Sequence, residues 1–125
     1  MKLTLFSFGF KYGQPEAEML WDVRFLPNPY WVPTLREHTG LEKPVADYVL
    51  SSDAGQEFVQ RFEPLLFFLW DKYKAMGREK VHWGIGCTGG RHRSVAITMH
   101  LSCFLEAYLH SNDELVVYSR DIEKG

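Results

Sequence analysis

The sequence predicts an α/β domain: a mostly parallel or mixed sheet of about four strands flanked by helices. Three observations carry that reading. β-rich apolar runs alternate with stretches of helical periodicity along the chain. The run VHWGI passes straight into a glycine-rich turn and then a long apolar helix. The length of 125 residues with 46% apolar and 15% aromatic content supplies one domain with a proper core and argues against disorder.

Leu3 to Phe10 is β-rich and alternating and stops at the glycines Gly9 and Gly13, which marks a first strand. Pro15 to Leu20 reads as one or two helical turns with proline at the start. A second strand runs from Leu20 to Leu26, ended by Pro27 and Pro29, which cannot donate to a ladder. The segment PNPYWVPTLREHTGLEKP is a long loop, and its Tyr30 and Trp31 speak against disorder. Pro44 opens a short helix to about Leu50. A longer helix follows SSDAG, with Phe58, Phe62, Leu66, Leu69, Trp70 and Tyr73 at three- and four-residue spacing. Pro64 is expected to kink or restart it, and Gly77 to stop it. Lys80 to Ile85 is a third strand. Ser94 to about Leu109 is a helix apolar almost all round and therefore expected to be buried, with Cys103 as a small core residue. Leu115 to Tyr118 forms the last strand.

If the strands are parallel, the loops after the first three meet at one sheet edge, beyond the strand carboxyl ends where such sheets bind ligands. The third of these loops, GCTGGRHRS from Gly86 to Ser94, carries the chemistry. Gly89 and Gly90 allow positive φ and close backbone approach. The helix that follows turns its unbonded N–H groups and positive dipole end to the same space, so strand, turn and helix form an anion-binding nest. Arg93 can add a bidentate fork, and Thr88 and Ser94 can donate hydroxyls. A plain turn capped by Ser94 is the simpler alternative, but it has no use for Arg91, His92 and Arg93 together. The run also fits CxxGxxR[ST], which resembles the phosphate loop of cysteine-dependent phosphatases. On that reading Cys87 is the nucleophile and Arg93 holds the phosphate. The general acid it requires has no good match, since Asp22 sits in a strand run and Asp121 lies near the end of the chain.

Other classes are disfavoured. Net charge is −2, so no general affinity for nucleic acid follows. Cys87 and Cys103 form no pair motif and read as free thiols of a reducing compartment, which makes a cytoplasmic location the expectation. No run approaches membrane-spanning length. The histidines show no metal-ligand spacing, and neither a metal nor a cofactor is expected. In DKYKAMGREK, the cations Lys72, Lys74, Arg78 and Lys80 are interleaved with acids and read as a solvated surface.

Five blocks then stand in order: FGFKYG, DVRFLPNP, TGLEKPVADY, GCTGGRHRS and RDIEK. Together they closely resemble the C-terminal domain of the RapZ family of RNase adapter proteins, over residues 1–125. The resemblance implies part of a sugar-phosphate kinase fold that binds a phosphorylated amino sugar, glucosamine 6-phosphate, without catalysis, and in some bacteria small regulatory RNAs. Carried over by position, it puts the ligand on Asp22, Cys87, Thr88, Gly89, Gly90, His92 and Arg93, with Arg24 and Asn28 adjacent. Asp22 would meet the sugar and the nest the phosphate. Tyr30 stands where many members carry His. No GxxxxGK[ST] and no basic tail occur in the sequence, so the resemblance implies a phosphorylated sugar or nucleotide sugar as ligand, a protein partner or a second copy, and at most weak RNA binding.

Overall fold

The structure, a computed structural model, describes residues 1–124. Four strands, β1 (Lys2–Gly9), β2 (Met19–Asp22), β3 (Lys80–Cys87) and β4 (Glu114–Ser119), form one sheet in the order β2-β3-β1-β4. Every pairing is parallel. The helices are α1 (Lys43–Leu50), α2 (Asp53–Ala75) and α3 (Arg93–Tyr108). The register sets Gly9 beside Cys87 and Asp22 beside Gly86, so the ends of β1, β2 and β3 do share an edge.

Alternation along each strand divides the sheet into two unlike faces. Leu3 and Leu5 of β1 and Val81, Trp83 and Ile85 of β3 are fully buried in the core with Phe62, Leu66 and Trp70 of α2 and Ile97, Leu101 and Leu105 of α3. Each such side chain contributes about 1.5–3 kcal/mol by leaving water. On the other face Phe6 and Phe8 lie over glycines of β3. A Cβ on Gly84 would stand 2.8 Å from Phe6 Cζ, and one on Gly86 2.5 Å from Phe8 Cζ. Tyr118 stacks on Phe6 and Phe10 meets Phe8 edge-on. The chain returns from β1 to the start of β2 through residues 10–18, and Arg120 pins that return by donating to the Gly13 carbonyl at 2.7 Å.

Several local expectations are corrected. Residues 15–18 are not helical; the Glu18 N–H donates to the His82 carbonyl and its carboxylate accepts the His82 N–H and the Arg78 guanidinium, which ties the segment to β3. β2 ends at Asp22 rather than Leu26, because the Asp22 carboxylate accepts the Arg24 N–H at 2.9 Å and turns the chain at once. The long loop contains a 3-10 turn at Pro29–Trp31, capped by Asn28 Oδ1 on the Tyr30 N–H. Pro64 leaves α2 unbroken: both it and Gln60, whose carbonyl loses a donor, face solvent, while Phe62, Leu66 and Trp70 anchor the helix. Gly77 ends it as expected, with φ 79° and the paired bonds Gly77 N–H to Lys74 and Arg78 N–H to Tyr73. Only residues 93–98 of α3 are buried on all sides. Its second half turns Cys103 outward, so that cysteine is not a core residue.

Candidate functional site

A cleft of about 550 Å³ opens at the shared strand edge, and the β3–α3 loop forms its floor. The loop is locked from beneath. A Cβ on Gly9 would stand 2.5 Å from the Gly89 carbonyl carbon, and one on Gly90, which has φ 74°, 2.6 Å from the Gly9 nitrogen. Only glycine permits this approach of β1 to the loop. The buried Asp121 carboxylate fastens the junction, accepting the Gly9 N–H at 2.7 Å, Arg120 Nε at 3.0 Å and Lys124 Nζ at 2.7 Å. Burial would raise this carboxyl, but those donors outweigh it and hold it at about 2. On the far side the Gly40 N–H donates to the Arg91 carbonyl at 2.8 Å, so the TGLEKP block packs on the start of α3.

With the loop so held, the N–H groups of Gly89, Gly90, Arg91 and His92 meet no protein acceptor among the described residues. Arg93 is buried, 6% exposed. Its Nη1 donates to the carbonyls of Arg24 at 2.7 Å and Leu26 at 3.3 Å, and its Nε has no partner. Cys87 Sγ lies 3.1 Å from Ser94 Oγ and accepts the Ser94 N–H at 3.4 Å. His92 Nε2 lies 3.1 Å from the Arg36 carbonyl, which can only accept, so this nitrogen carries the proton. Burial lowers the pKa of His92, and the charges of Arg91 and Arg93 lower it further, leaving a neutral ring.

The structure brings Asn28, Tyr30, Cys87, Thr88 and Gly89 onto the cleft wall, together with Arg91, His92 and Arg93. Ser94 is fully buried behind Cys87, and Gly90 beneath the floor. Asp22 and Arg24 stand at the adjoining strand end, paired to each other through Arg24 Nη2 at 2.6 Å, with the Arg24 guanidinium over the Phe10 ring. The hydrogen bonds from Arg24 first, and the charge of Arg93 after them, lower the Asp22 pKa.

Five wall residues have no counterpart in the sequence reading of the site: Lys11, Trp31, Arg36, Glu37 and Lys124. They come from separate segments, so no local motif unites them. With Arg91 and Arg93 they give the cleft, among the described residues, five cationic side chains, of which Lys124 is paired with Asp121, against the one carboxylate of Glu37. A chain of net charge −2 thus concentrates positive charge in one place.

A family model described as the RapZ C-terminal domain matches residues 1–123. The chain belongs to the RapZ C-terminal domain family. Among curated relatives, the nucleotide-binding protein of Clostridium acetobutylicum is 46% identical over 98% of this chain and 41% of its own length. The nucleotide-binding protein of Halalkalibacterium halodurans is also 46% identical, with the same coverage. That of Corynebacterium aurimucosum is 52% identical over 80% of this chain and 34% of its own. The chain therefore spans about two-fifths of the length of the relatives it matches most fully. The parallel sheet with its cleft at the strand ends is the form taken by a RapZ C-terminal domain in this sequence. Among its described residues no helix is long and apolar enough to cross a membrane.

Proposed function

We propose that the domain is a non-catalytic binding module for a phosphorylated sugar or a nucleotide sugar, of the glucosamine 6-phosphate kind. One observation carries the reading: the unpartnered backbone N–H groups of Gly89, Arg91 and His92 and the buried, unpartnered Nε of Arg93 belong to residues of one cationic cleft. A buried donor without an acceptor costs about 1–3 kcal/mol, which a phosphate oxygen recovers. The sugar would extend toward Asp22, whose carboxylate accepts hydroxyl or ammonium hydrogens.

The contact of Cys87 with Ser94 favours a second reading, hydrolysis of a phosphate through a cysteinyl intermediate. Against it, Cys87 is only 3% exposed. The Arg93 guanidinium is already committed on one nitrogen to main-chain carbonyls, and no aspartate among the described residues lines the cleft. An RNA-adapter role finds little support in DKYKAMGREK, where Lys74 pairs with Asp113 and Arg78 with Glu18.

Titration calorimetry with glucosamine 6-phosphate and with sulfate tests the proposal. Arg93→Ala is expected to weaken both by about ten- to a hundred-fold, the worth of one charge-assisted fork. Equal affinity in the variant and the parent refutes the assignment of the anion site. Turnover of an aryl phosphate that Cys87→Ser abolishes would establish the enzyme reading instead.

A further inference from the structure

Trp31 is unlike the other tryptophans. Trp70 and Trp83 are 1% and 0% exposed, and Trp21 is half-buried against Phe62, whereas Trp31 is 72% exposed. Leaving an indole in water forgoes much of the burial energy an aromatic ring offers. Its backbone is nevertheless firmly held. Asn28 Oδ1 caps the Pro29–Trp31 turn, Pro29 is buried, and the Val32 N–H closes the turn on the Pro29 carbonyl at 3.0 Å. Arg36 donates through Nε to the Tyr30 carbonyl at 2.7 Å and lays its guanidinium over the Tyr30 ring. Tyr30 in turn meets Trp31 edge-on, with ring centroids 5.1 Å apart at 86°. The result is a solvent-facing indole on a fixed stretch of backbone at the wall of the cationic cleft.

The charge balance adds an independent constraint. With Lys124 paired to Asp121, four cations still face one carboxylate, more than a single phosphate of about two negative charges can neutralise. A second phosphate group on the same ligand matches them better. A second phosphate, together with a partner for the exposed indole, is what a nucleoside diphosphate supplies: two linked anions and a flat base that stacks.

Deepening the proposed function, and resting on it, we infer that the cleft takes a nucleoside diphosphate group, with one phosphate in the Gly89–Arg93 nest, the other among the outer cations and the base stacked on Trp31. Trp31 is then the residue that separates nucleotide ligands from simple phosphates. Stacking on an aromatic side chain is insensitive to base identity, so discrimination between bases is expected to be weak.

The test uses the full chain, with ADP as probe and pyrophosphate as the comparator that lacks base and ribose. ADP should bind about ten-fold more tightly than pyrophosphate, and Trp31→Ala should remove that advantage while changing pyrophosphate affinity less than two-fold. Trp31→Phe should restore most of it. Because Trp31 alone among the four tryptophans is strongly exposed, ADP should also shield the iodide-quenchable fluorescence, and pyrophosphate should not. If pyrophosphate binds and ADP binds no better, or if Trp31→Ala weakens both alike, the stacking inference falls and the anion site stands. If neither binds, the anion reading falls with it.

Discussion

Replacing Asp121 by Asn tests whether the floor of the cleft is held by charge. The Asp121 carboxyl, fully buried, sits at about 2 instead of its ordinary 3.8. At 1.36 kcal/mol per pH unit, the difference corresponds to about 2 kcal/mol of stability. Because the folded pKa is depressed, that stability is fully present above pH 4 and is lost as the pH falls through 2. Asp121→Asn keeps an oxygen for the Gly9 N–H but sets an uncharged amide against Arg120 and Lys124. Urea unfolding should therefore find the variant about 2 kcal/mol less stable at pH 7. The gap should narrow below pH 4, and the two proteins should converge near pH 2. Other acids, Asp113 among them, weaken both proteins together and cancel in the difference. A gap that stays constant from pH 7 to pH 2 would mean that shape, not charge, holds the junction, and would refute the reasoning.

Two further outcomes follow from the site. Asp22→Ala should weaken glucosamine 6-phosphate but leave sulfate binding unchanged or slightly improved, since Asp22 lies at the strand end beside the nest rather than in it; calorimetry with both ligands checks this. For His92 the lowered folded pKa means that the folded protein binds fewer protons than the unfolded one, so without an anion stability declines as the pH drops below 6.5. Sulfate, which does not titrate in this range, should bind more tightly at pH 5.5 than at pH 7.5 with uptake of a proton, and His92→Gln should abolish that uptake, read from the buffer dependence of the binding heat.

The architecture was legible because each strand and helix carries its own period, and the GCTGGRHRS loop because strand, glycine turn and helix start are contiguous. What escaped is non-local. Lys11, Arg36 and Lys124 are unremarkable in sequence and meet only because three chain segments converge at one edge. The early end of β2 turns on one side chain, Asp22, competing for a backbone N–H. Trp31 escaped as well, since nothing in a Pro-rich aromatic loop tells which of its rings stays in solvent. Cys103 shows the limit of composition, since an apolar helix need not have neighbours on every side.

The order of the sheet also governs how the chain reaches its fold. β1, made first, sits in the interior of the sheet, and Lys2 pairs with Lys80 on one side and Glu114 on the other. During synthesis at ~5–20 residues per second, the second of those partners leaves the ribosome about 6–20 s after the first strand. Until Lys80–Cys87 emerges the run LTLFSFGF has neither of its ladders, and until Glu114–Ser119 follows it lacks one, so its alternating Leu and Phe side chains form the kind of exposed segment that pairs wrongly. Nearly all of the sheet's pairing spans large sequence separations, which makes folding slow for a chain this short. The last strand to appear, β4, covers the open side of β1, and Arg120 and Asp121 directly behind it tie down the first loop. Closing the ligand edge thus needs residues that follow β1 by more than a hundred positions, and a pulse-labelled nascent chain should gain protease resistance only once residues beyond Ser119 have emerged.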